Sequence, residues 1–401
     1  MSFTERLYYN DSHLIEFEAR VIDVTERVSG WTAIVLDRTA FYPTGGGQPN
    51  DTGTLSGCRV VECIDADETV LHVVQGTTPP VGSEVKGRVD WSRRLDHMQQ
   101  HTGQHILSQA FVTLFNAQTK SFRVLEDACE IDVDLSNPSN EVIERAVELA
   151  NNVIWEDRQI TIRNVTSDEA MSLPLRKDPA RQGELRLIEI EGFDLTPCGG
   201  THAFRTGEVG MIAVRSWERA KGLTRIEFVA GIRALADFRR ANKSVREIAS
   251  LFSTARDEAP TLTARLLEEN KDLHRRIRIL EELAATSEAE TLLSHAAVKS
   301  HDVRLICKIF TGRDADSLRK LAQALIASPK VIALLASRDE DIARLVFARS
   351  SDTSEDMNAL MKQACEILDG RGGGKPELAQ GGGKDASRLE EVLSQLSTLI
   401  T

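Results

Sequence analysis

Apolar and polar positions change their period several times along the chain, and each change predicts a different kind of element. Residues 15–22 alternate as a half-buried strand does, and 31–36 form a compact apolar run through Trp31, Ile34, Val35 and Leu36. Val60-Val61 and residues 70–74 continue the theme, with Gly and Pro between them. Short strands punctuated in this way predict a small β-barrel or sandwich over residues 1–90. From 92 to about 115 the period becomes helical, with Ile106, Leu107, Ala110, Phe111, Leu114 and Phe115 on one apolar face. Strands are expected at 119–124 and 129–135, then a helix from 141 to about 155, then strands at 160–162, 185–190, 209–214 and 224–229. That mixture predicts an α+β domain over 91–235, a sheet with helices on one face.

Beyond 232 the pattern is helical. Leu266, Leu273 and Leu280 lie seven apart, with Asn270, Ile277 and Ala284 four residues after each, a short heptad seam within a helical coiled-coil segment, 236–295. The seam can close as a hairpin within one chain or join two chains. Residues 296–401 read as a separate, glycine-rich α/β unit, with strands at 304–310 and 331–336 and helices at 318–326, 357–368 and 387–399. In it, Lys375, Pro376, Leu378 and Gln380 interrupt the glycines from Gly370 to Gly383, so an ordered loop is expected there. Its backbone amides, with Arg371 and Lys375, suit an anion or an RNA backbone. The whole is a multidomain α+β chain.

Composition narrows the class. The chain has 401 residues, enough for two to four domains, and its 41% hydrophobic and 27% charged content is that of an ordinary globular protein. No apolar run is long enough to span a bilayer, and the first residues lack a basic-then-apolar leader. Six scattered cysteines do not form a disulfide framework, so a reducing cytoplasm is the expected location. The net charge of −12 counts against a general polyanion binder. A nucleic acid would need a local basic patch, and Arg215, Arg219, Lys221 and Arg225 form the candidate one.

Candidate chemistry sits in two segments almost a hundred residues apart. His97, His101 and His105 are spaced by four, so the helix can aim either His97/His101 or His101/His105 at one ion. In Cys198-Gly199-Gly200-Thr201-His202, after Pro197, the glycines allow a tight turn that places Cys198 and His202 on one side. Thiolate with imidazole suits zinc in tetrahedral geometry, and four protein ligands resemble a closed site. His101-Thr102-Gly103-Gln104-His105 has metalloprotease spacing but lacks the glutamate that serves there as general base. Gly45-Gly46-Gly47-Gln48 is either a flexible hairpin tip or a loop whose bare backbone approaches a ligand, with the Gln48 amide as donor and acceptor. No Gly-Lys-Ser/Thr follows, so it is not a nucleotide-hydrolase phosphate loop.

Taken in order, Gly45-Gly46-Gly47-Gln48, the histidine helix, Cys198-Gly199-Gly200-Thr201-His202 and Arg225-Ile226-Glu227-Phe228-Val229-Ala230-Gly231 resemble the alanyl-tRNA editing proteins, free-standing relatives of the editing half of alanyl-tRNA synthetase. The segment from Gly372 to Gly383 is similar to the DHH-associated domain at the synthetase C-terminus, so the resemblance is to the long form and spans nearly the whole chain. It implies a translation-factor-like barrel, a zinc-containing editing domain, and one Zn2+ per chain on His101, His105, Cys198 and His202. It implies hydrolysis of serine or glycine wrongly esterified to alanine tRNA. Gln104 stands where synthetase editing sites often carry Thr, and Thr119 and Ser121 fall near the family's hydroxyl-bearing discriminator. With Gln48, these are the expected catalytic residues. Gly45, Gly46, Gly47, Arg215, Lys221, Arg225, Arg371 and Lys375 are the expected RNA contacts. The expected partners are the aminoacylated 3′ end of alanine tRNA and a second copy of the chain, through the helical or C-terminal region. The alternative is a non-catalytic, zinc-stabilised tRNA- or protein-binding module.

Overall fold

A computed structural model describes residues 3–26, 31–178 and 183–400. The chain divides into two compact units, Met1–Glu247 and Ile248–Thr401.

The first unit opens with β1 (Glu16–Glu26), β2 (Thr32–Leu36), β3 (Gly53–Leu55), β4 (Cys58–Ala66), β5 (Thr69–Gln75) and β6 (Glu84–Val89). They pair antiparallel in the order β1-β2-β5-β4-β3-β6 and close into a barrel. Phe17, Val21, Ile34, Leu36, Phe41, Leu55, Val60 and Val85 fill it. One buried polar side chain is satisfied there: the His72 ring accepts from the Thr39 hydroxyl at 2.8 Å and donates to the Ile34 carbonyl at 3.0 Å. Burial pushes its pKa down to about 4, the Ile34 bond working the other way.

Helix α1 (Trp91–Phe115) follows at once. Its second half is an ordinary apolar face, with Ile106, Leu107, Ala110 and Phe111 fully buried. Its first half buries polar side chains, and each of three finds partners. Arg94, wholly buried, pairs with Asp51 of the barrel and donates to the Ser12 carbonyl at 2.6 Å. Gln99 accepts from Ile232 N and donates to the Glu208 carbonyl, and Gln100 does the same with Ala230 N and O. These bonds replace the apolar contacts that a core helix normally uses.

Two sheets flank this helix, not the single sheet expected. β7 (Thr119–Val124), β8 (Cys129–Val133), β12 (Ile212–Ala220) and β13 (Leu223–Ala230) form one, in the order β12-β13-β8-β7. β9 (Ile160–Thr166), β10 (Glu184–Ile190) and β11 (Asp194–Pro197) form the other, in chain order and antiparallel. The strand expected at 209–214 begins only at Ile212, because Thr206–Val209 is a 3-10 turn that buries Val209. Helix α2 (Asn140–Trp155), capped by the Ser139 hydroxyl, lays Ile143, Ala146, Ala150, Val153 and Ile154 into the shared core.

Helix α3 (Gly231–Leu251) leads to α4 (Ala259–Ser294), 36 residues long. The heptad leucines Leu266, Leu273 and Leu280 are 52, 55 and 63% exposed. The second unit's sheet runs β14-β15-β16-β17-β19-β18, from β14 (Ala297–Val298), β15 (Arg304–Thr311), β16 (Val331–Asp339), β17 (Ile342–Arg349), β18 (Gly370–Gly374) and β19 (Leu378–Gly383). Within this sheet β15 and β16 pair parallel, and the other pairs are antiparallel. The glycine segment is therefore a β-hairpin at the sheet edge, not a loop. Its glycines admit a helix laid flat on bare backbone: a Cβ on Gly381 would lie 2.6 Å from Cys365 Sγ and 2.8 Å from Met361 Sδ of α6 (Met357–Ile367). α5 (Ala315–Ile326) and α7 (Leu389–Leu399) complete the core.

Candidate metal centre

His101 and His105 face one way from α1, one turn apart, and the turn after β11 brings Cys198 and His202 against them. The four donor atoms lie within 4.8 Å of one another. Cys198 Sγ is 3.4 Å from Nε2 of His101 and 3.4 Å from Nε2 of His202. A tetrahedral ion with metal–nitrogen and metal–sulfur bonds of about 2.0 and 2.3 Å needs S···N separations of about 3.5 Å, so the donor set fits such an ion. The three imidazoles are buried and Cys198 is partly exposed.

What aims the imidazoles is the other ring nitrogen of each. His101 Nδ1 donates to Gln48 Oε1 at 2.7 Å, His105 Nδ1 meets Asp194 Oδ2 at 3.3 Å, and His202 Nδ1 meets the Thr102 hydroxyl at 3.3 Å. Oxygen partners on all three Nδ1 atoms leave the Nε2 lone pairs facing inward, as ligation requires. The supports are themselves held. Gln48 Nε2 donates to Thr201 Oγ1 at 2.9 Å, and Arg176 grips Asp194 at 2.8 Å. Ser12 Oγ accepts the His202 amide at 3.1 Å.

Two glycines make this approach possible. A Cβ on Gly200 would lie 2.2 Å from His101 Cε1 and 2.4 Å from its Nδ1. Gly47, at φ +82°, is in the left-handed region, and a Cβ there would strike the Phe122 carbonyl at 2.4 Å. The Gly45–Gly47 loop thus lies against β7 and turns Gln48 inward, fully buried.

The electrostatics suit a cation. Burial opposes ionisation of Cys198, but the neighbouring His101 and His202 outweigh it and hold the thiol well below its usual value. Burial likewise opposes the Asp194 carboxylate, yet its bond to His105 and the nearby Arg176 hold it at about 2. Burial pushes His202 down to about 3.

The remaining predicted residues are placed as follows. His97 is outside the cluster: it is buried, its Nδ1 has no partner, and it lines a separate cavity of about 580 Å³ with Arg93 and Arg233. Gln104 donates to Ser108 Oγ at 2.8 Å, and Thr119 donates to the same oxygen at 2.7 Å. Ser121 donates to Asp132 at 2.6 Å on the exposed side. The basic cluster is largely paired: Arg215 with Asp237 and Glu227, Arg225 with Asp132, and Arg219 with the Ser136 carbonyl. Lys221 stands at the β12–β13 hairpin turn with φ 52°. Arg371 and Lys375 are exposed on the glycine hairpin of the second unit.

Sequence reasoning missed Asp194, Arg176, Thr102, Thr201 and Arg186. Thr102 and Thr201 lie inside the two quoted motifs and Asp194 on the strand that delivers Cys198, and Arg176 and Arg186 carry no local signal. Arg186 on β10 donates through Nη1 to the carbonyls of Cys198 (2.7 Å) and Gly200 (3.0 Å). A cavity of about 610 Å³ opens beside Cys198, walled by Tyr9, Tyr42, Gly46, Lys177 and Arg186.

Comparison with known proteins shows what the chain is similar to. Residues 4–93 match the family model for tRNA synthetases class II (A), 185–227 the threonyl and alanyl tRNA synthetase second additional domain, and 302–401 the DHHA1 domain. Alanine–tRNA ligases of Methanobrevibacter smithii and Pyrococcus abyssi are each 31% identical over 99% of this chain, which spans 46 and 44% of their lengths. The crystal structure of the C-Ala domain of Aquifex aeolicus alanyl-tRNA synthetase matches 24% of this chain and 88% of its own, at 31% identity and a TM-score of 0.23. The alanyl-tRNA editing protein AlaX-L of Pyrococcus horikoshii is 32% identical over 389 residues, covering 94% of both chains. With a likeness that runs nearly end to end, the chain belongs to the alanyl-tRNA editing protein family.

Proposed function

We propose that the protein is a trans-editing deacylase that hydrolyses Ser-tRNA(Ala), Gly-tRNA(Ala) or both. The observation that carries this is the cluster of His101, His105, Cys198 and His202, with all three Nδ1 atoms bound to oxygen, beside a cavity large enough for the end of a nucleic-acid chain. The cavity lies within the usual size range of small-ligand sites.

The four ligands would hold Zn2+, which when bound supplies a positive charge beside the ester. The protein's own part is placement. An aminoacyl ester is already activated, so holding it in line with a water supplies much of the barrier reduction. Water adds to the ester carbonyl, the bond from carbonyl carbon to ribose oxygen breaks, one water proton goes to the ribose oxygen, which leaves as a hydroxyl, and the other passes to solvent as the amino acid leaves as its carboxylate. Gln48, whose amide is taken up by His101 and Thr201, acts by positioning His101. Serine is told from alanine by hydrogen bonding, because a site built to bond a hydroxyl strongly rejects the analogue without one. The array of Thr119, Ser108 and Gln104 offers such bonds. In this reading residues 1–90 are the translation-factor-like barrel, 91–235 the editing domain, 236–295 the helical segment and 296–401 the DHH-associated-like domain. Lys221, Arg371 and Lys375 supply phosphate contacts, and the exposed heptad leucines join two copies.

A second reading is favoured by one observation. Four protein ligands leave no open position, as in a structural zinc site. The two readings separate on deacylation of Ser-, Gly- and Ala-charged alanine tRNA by wild type and Cys198→Ala, with zinc assayed in parallel. Loss of Ser or Gly with Ala spared, abolished in folded Cys198→Ala, supports editing. A folded, zinc-loaded wild type that hydrolyses none of the three refutes it.

A further inference from the structure

The turn that carries Cys198 and His202 is held by one arginine. Arg186 of β10 donates through a single nitrogen, Nη1, to the Cys198 carbonyl at 2.7 Å and to the Gly200 carbonyl at 3.0 Å. Its own main-chain carbonyl accepts the Cys198 amide at 3.1 Å. The guanidinium is fixed from behind. Its Nε donates to the Tyr9 carbonyl at 2.9 Å, and it lies over the Tyr9 ring, 5.4 Å from the centre. Among the described residues no carboxylate pairs with it, so its donors are spent on main-chain oxygens.

The two gripped carbonyls belong to alternate peptide groups, 198–199 and 200–201. The second group is held at its other end too, where the Thr201 amide donates to Gln48 Oε1 at 3.3 Å. The peptide group between them has Gly199 on one side and Gly200 on the other, so no side chain fixes its plane. Holding both neighbours fixes it. Its N–H, on Gly200, donates to Cys198 Sγ at 3.4 Å. A thiol that ligates a metal is deprotonated, and a donor on the thiolate sets its direction and the electron density it offers the ion. The group that aims this donor therefore acts on the metal centre without touching it.

We propose that Arg186 is a positioning residue of the metal centre: by holding the Cys198 and Gly200 carbonyls it keeps the Gly200 N–H bonded to the Cys198 sulfur. The inference rests on the metal-binding part of the reading above and is independent of ester hydrolysis. What Arg186 supplies is geometry. A lysine keeps the charge, but its ammonium ends one bond short of the Nη1 position and does not reach both carbonyls.

The test uses the full chain, isotopically labelled and loaded with an NMR-active cadmium isotope in place of zinc. Across an N–H···S bond the metal nucleus couples to the amide proton. The Gly200 amide signal is expected to be split in wild type and to lose the splitting in Arg186→Lys, with the variant shown to be folded by near-UV circular dichroism. Chelator competition is expected to show zinc held about 10- to 100-fold more weakly by Arg186→Lys, the usual cost of disturbing a supporting bond. A merely structural arginine would lower the melting temperature and leave the splitting in place. Retained splitting in Arg186→Lys, or zinc held as tightly as by wild type, overturns the proposal. So does a cadmium-loaded wild type with no splitting at Gly200. Wild type that takes up neither metal removes the metal centre itself, and the proposal with it. Splitting in a wild type that hydrolyses no ester, lost in Arg186→Lys, supports the positioning role and refutes only the deacylase reading.

Discussion

Replacing Gly200 by Ala adds one methyl group at the most crowded point of the metal cluster. The added Cβ would stand 2.4 Å from His101 Nδ1 and 2.2 Å from Cε1, where ordinary contact begins at 3.4 Å. The obstacle is a ring pinned on both sides, by Gln48 at Nδ1 and by the cluster at Nε2, so no flexible chain end is free to swing away. Restoring contact takes a retreat of about 1 Å, and overpacking of this kind costs about 1–3 kcal/mol. The new Cβ would also stand 3.2 Å from Gln48 Oε1, so the retreat runs nearly at right angles to the bond from His101 to Gln48: it stretches that bond from 2.7 Å only to about 3.1 Å and tilts the ring away from its place in the cluster. Metal–ligand distances tolerate only about 0.2 Å, so one of four ligands is lost. The expected outcome is a zinc affinity lower by at least the 10- to 100-fold typical of disturbed supporting bonds, measured by competition with a chromophoric chelator. Gly199→Ala is the matched control, because its Cβ would meet only the Tyr9 ring and hydroxyl, at 3.6 Å and beyond. If Gly200→Ala holds zinc as tightly as Gly199→Ala, then His101 is not pinned as described and the account of the site is wrong.

Other consequences are open to direct measurement. Gln48→Ala removes the acceptor that fixes the His101 tautomer and is expected to weaken zinc binding about 10- to 100-fold, read by the same chelator assay. Asp51→Ala leaves the wholly buried Arg94 without a counter-charge; a loss of about 3–5 kcal/mol, or about 10 °C in the melting temperature of the first unit, is expected by calorimetry. His72 has a folded pKa of about 4 against 6.5 unfolded, so below pH 6.5 the unfolded chain binds a proton that the fold refuses. Its contribution, on the order of 3 kcal/mol, is complete above pH 6.5 and is lost as pH falls toward 4. His72→Gln is expected to flatten the stability profile across that window, measured by urea unfolding, and an unchanged slope would contradict the buried neutral ring.

Much of the architecture is written in local periodicity, and that part was legible. The helix carrying His101 and His105 was expected from about 92 to 115 and runs Trp91–Phe115, because apolar spacing and helix geometry share a period. Both halves of the metal cluster were visible for the same reason, since ligands on one helix turn or one tight turn leave a short spacing. Spacing alone left the choice between His97 and His105 open, because it depends on where Cys198 and His202 arrive from another sheet; the family resemblance, not the periodicity, selected His105. The supporting shell was hidden too. Asp194, Thr102 and Arg176 act through hydrogen bonds across tens of residues, and no pattern in a short window records such pairings. The glycine segment misled for a physical reason: its strands carry hardly any side chains, so they lack the alternation by which a strand is read, while their backbone pairs as any hairpin does.

Gln48 belongs to the barrel by sequence and to the metal cluster by its bonds. One amide joins a loop between barrel strands to a helix that begins forty residues later and to a turn more than a hundred residues beyond that. Ser12 and the pair of Arg94 with Asp51 tie the same pieces together. Modularity therefore stops short of this junction. A gene fragment beginning at the helix would encode every proposed zinc ligand and yet leave His101 without its acceptor and His202 without the hydroxyl that receives its amide. Every residue of the cluster, and each of these supports, falls within the first unit.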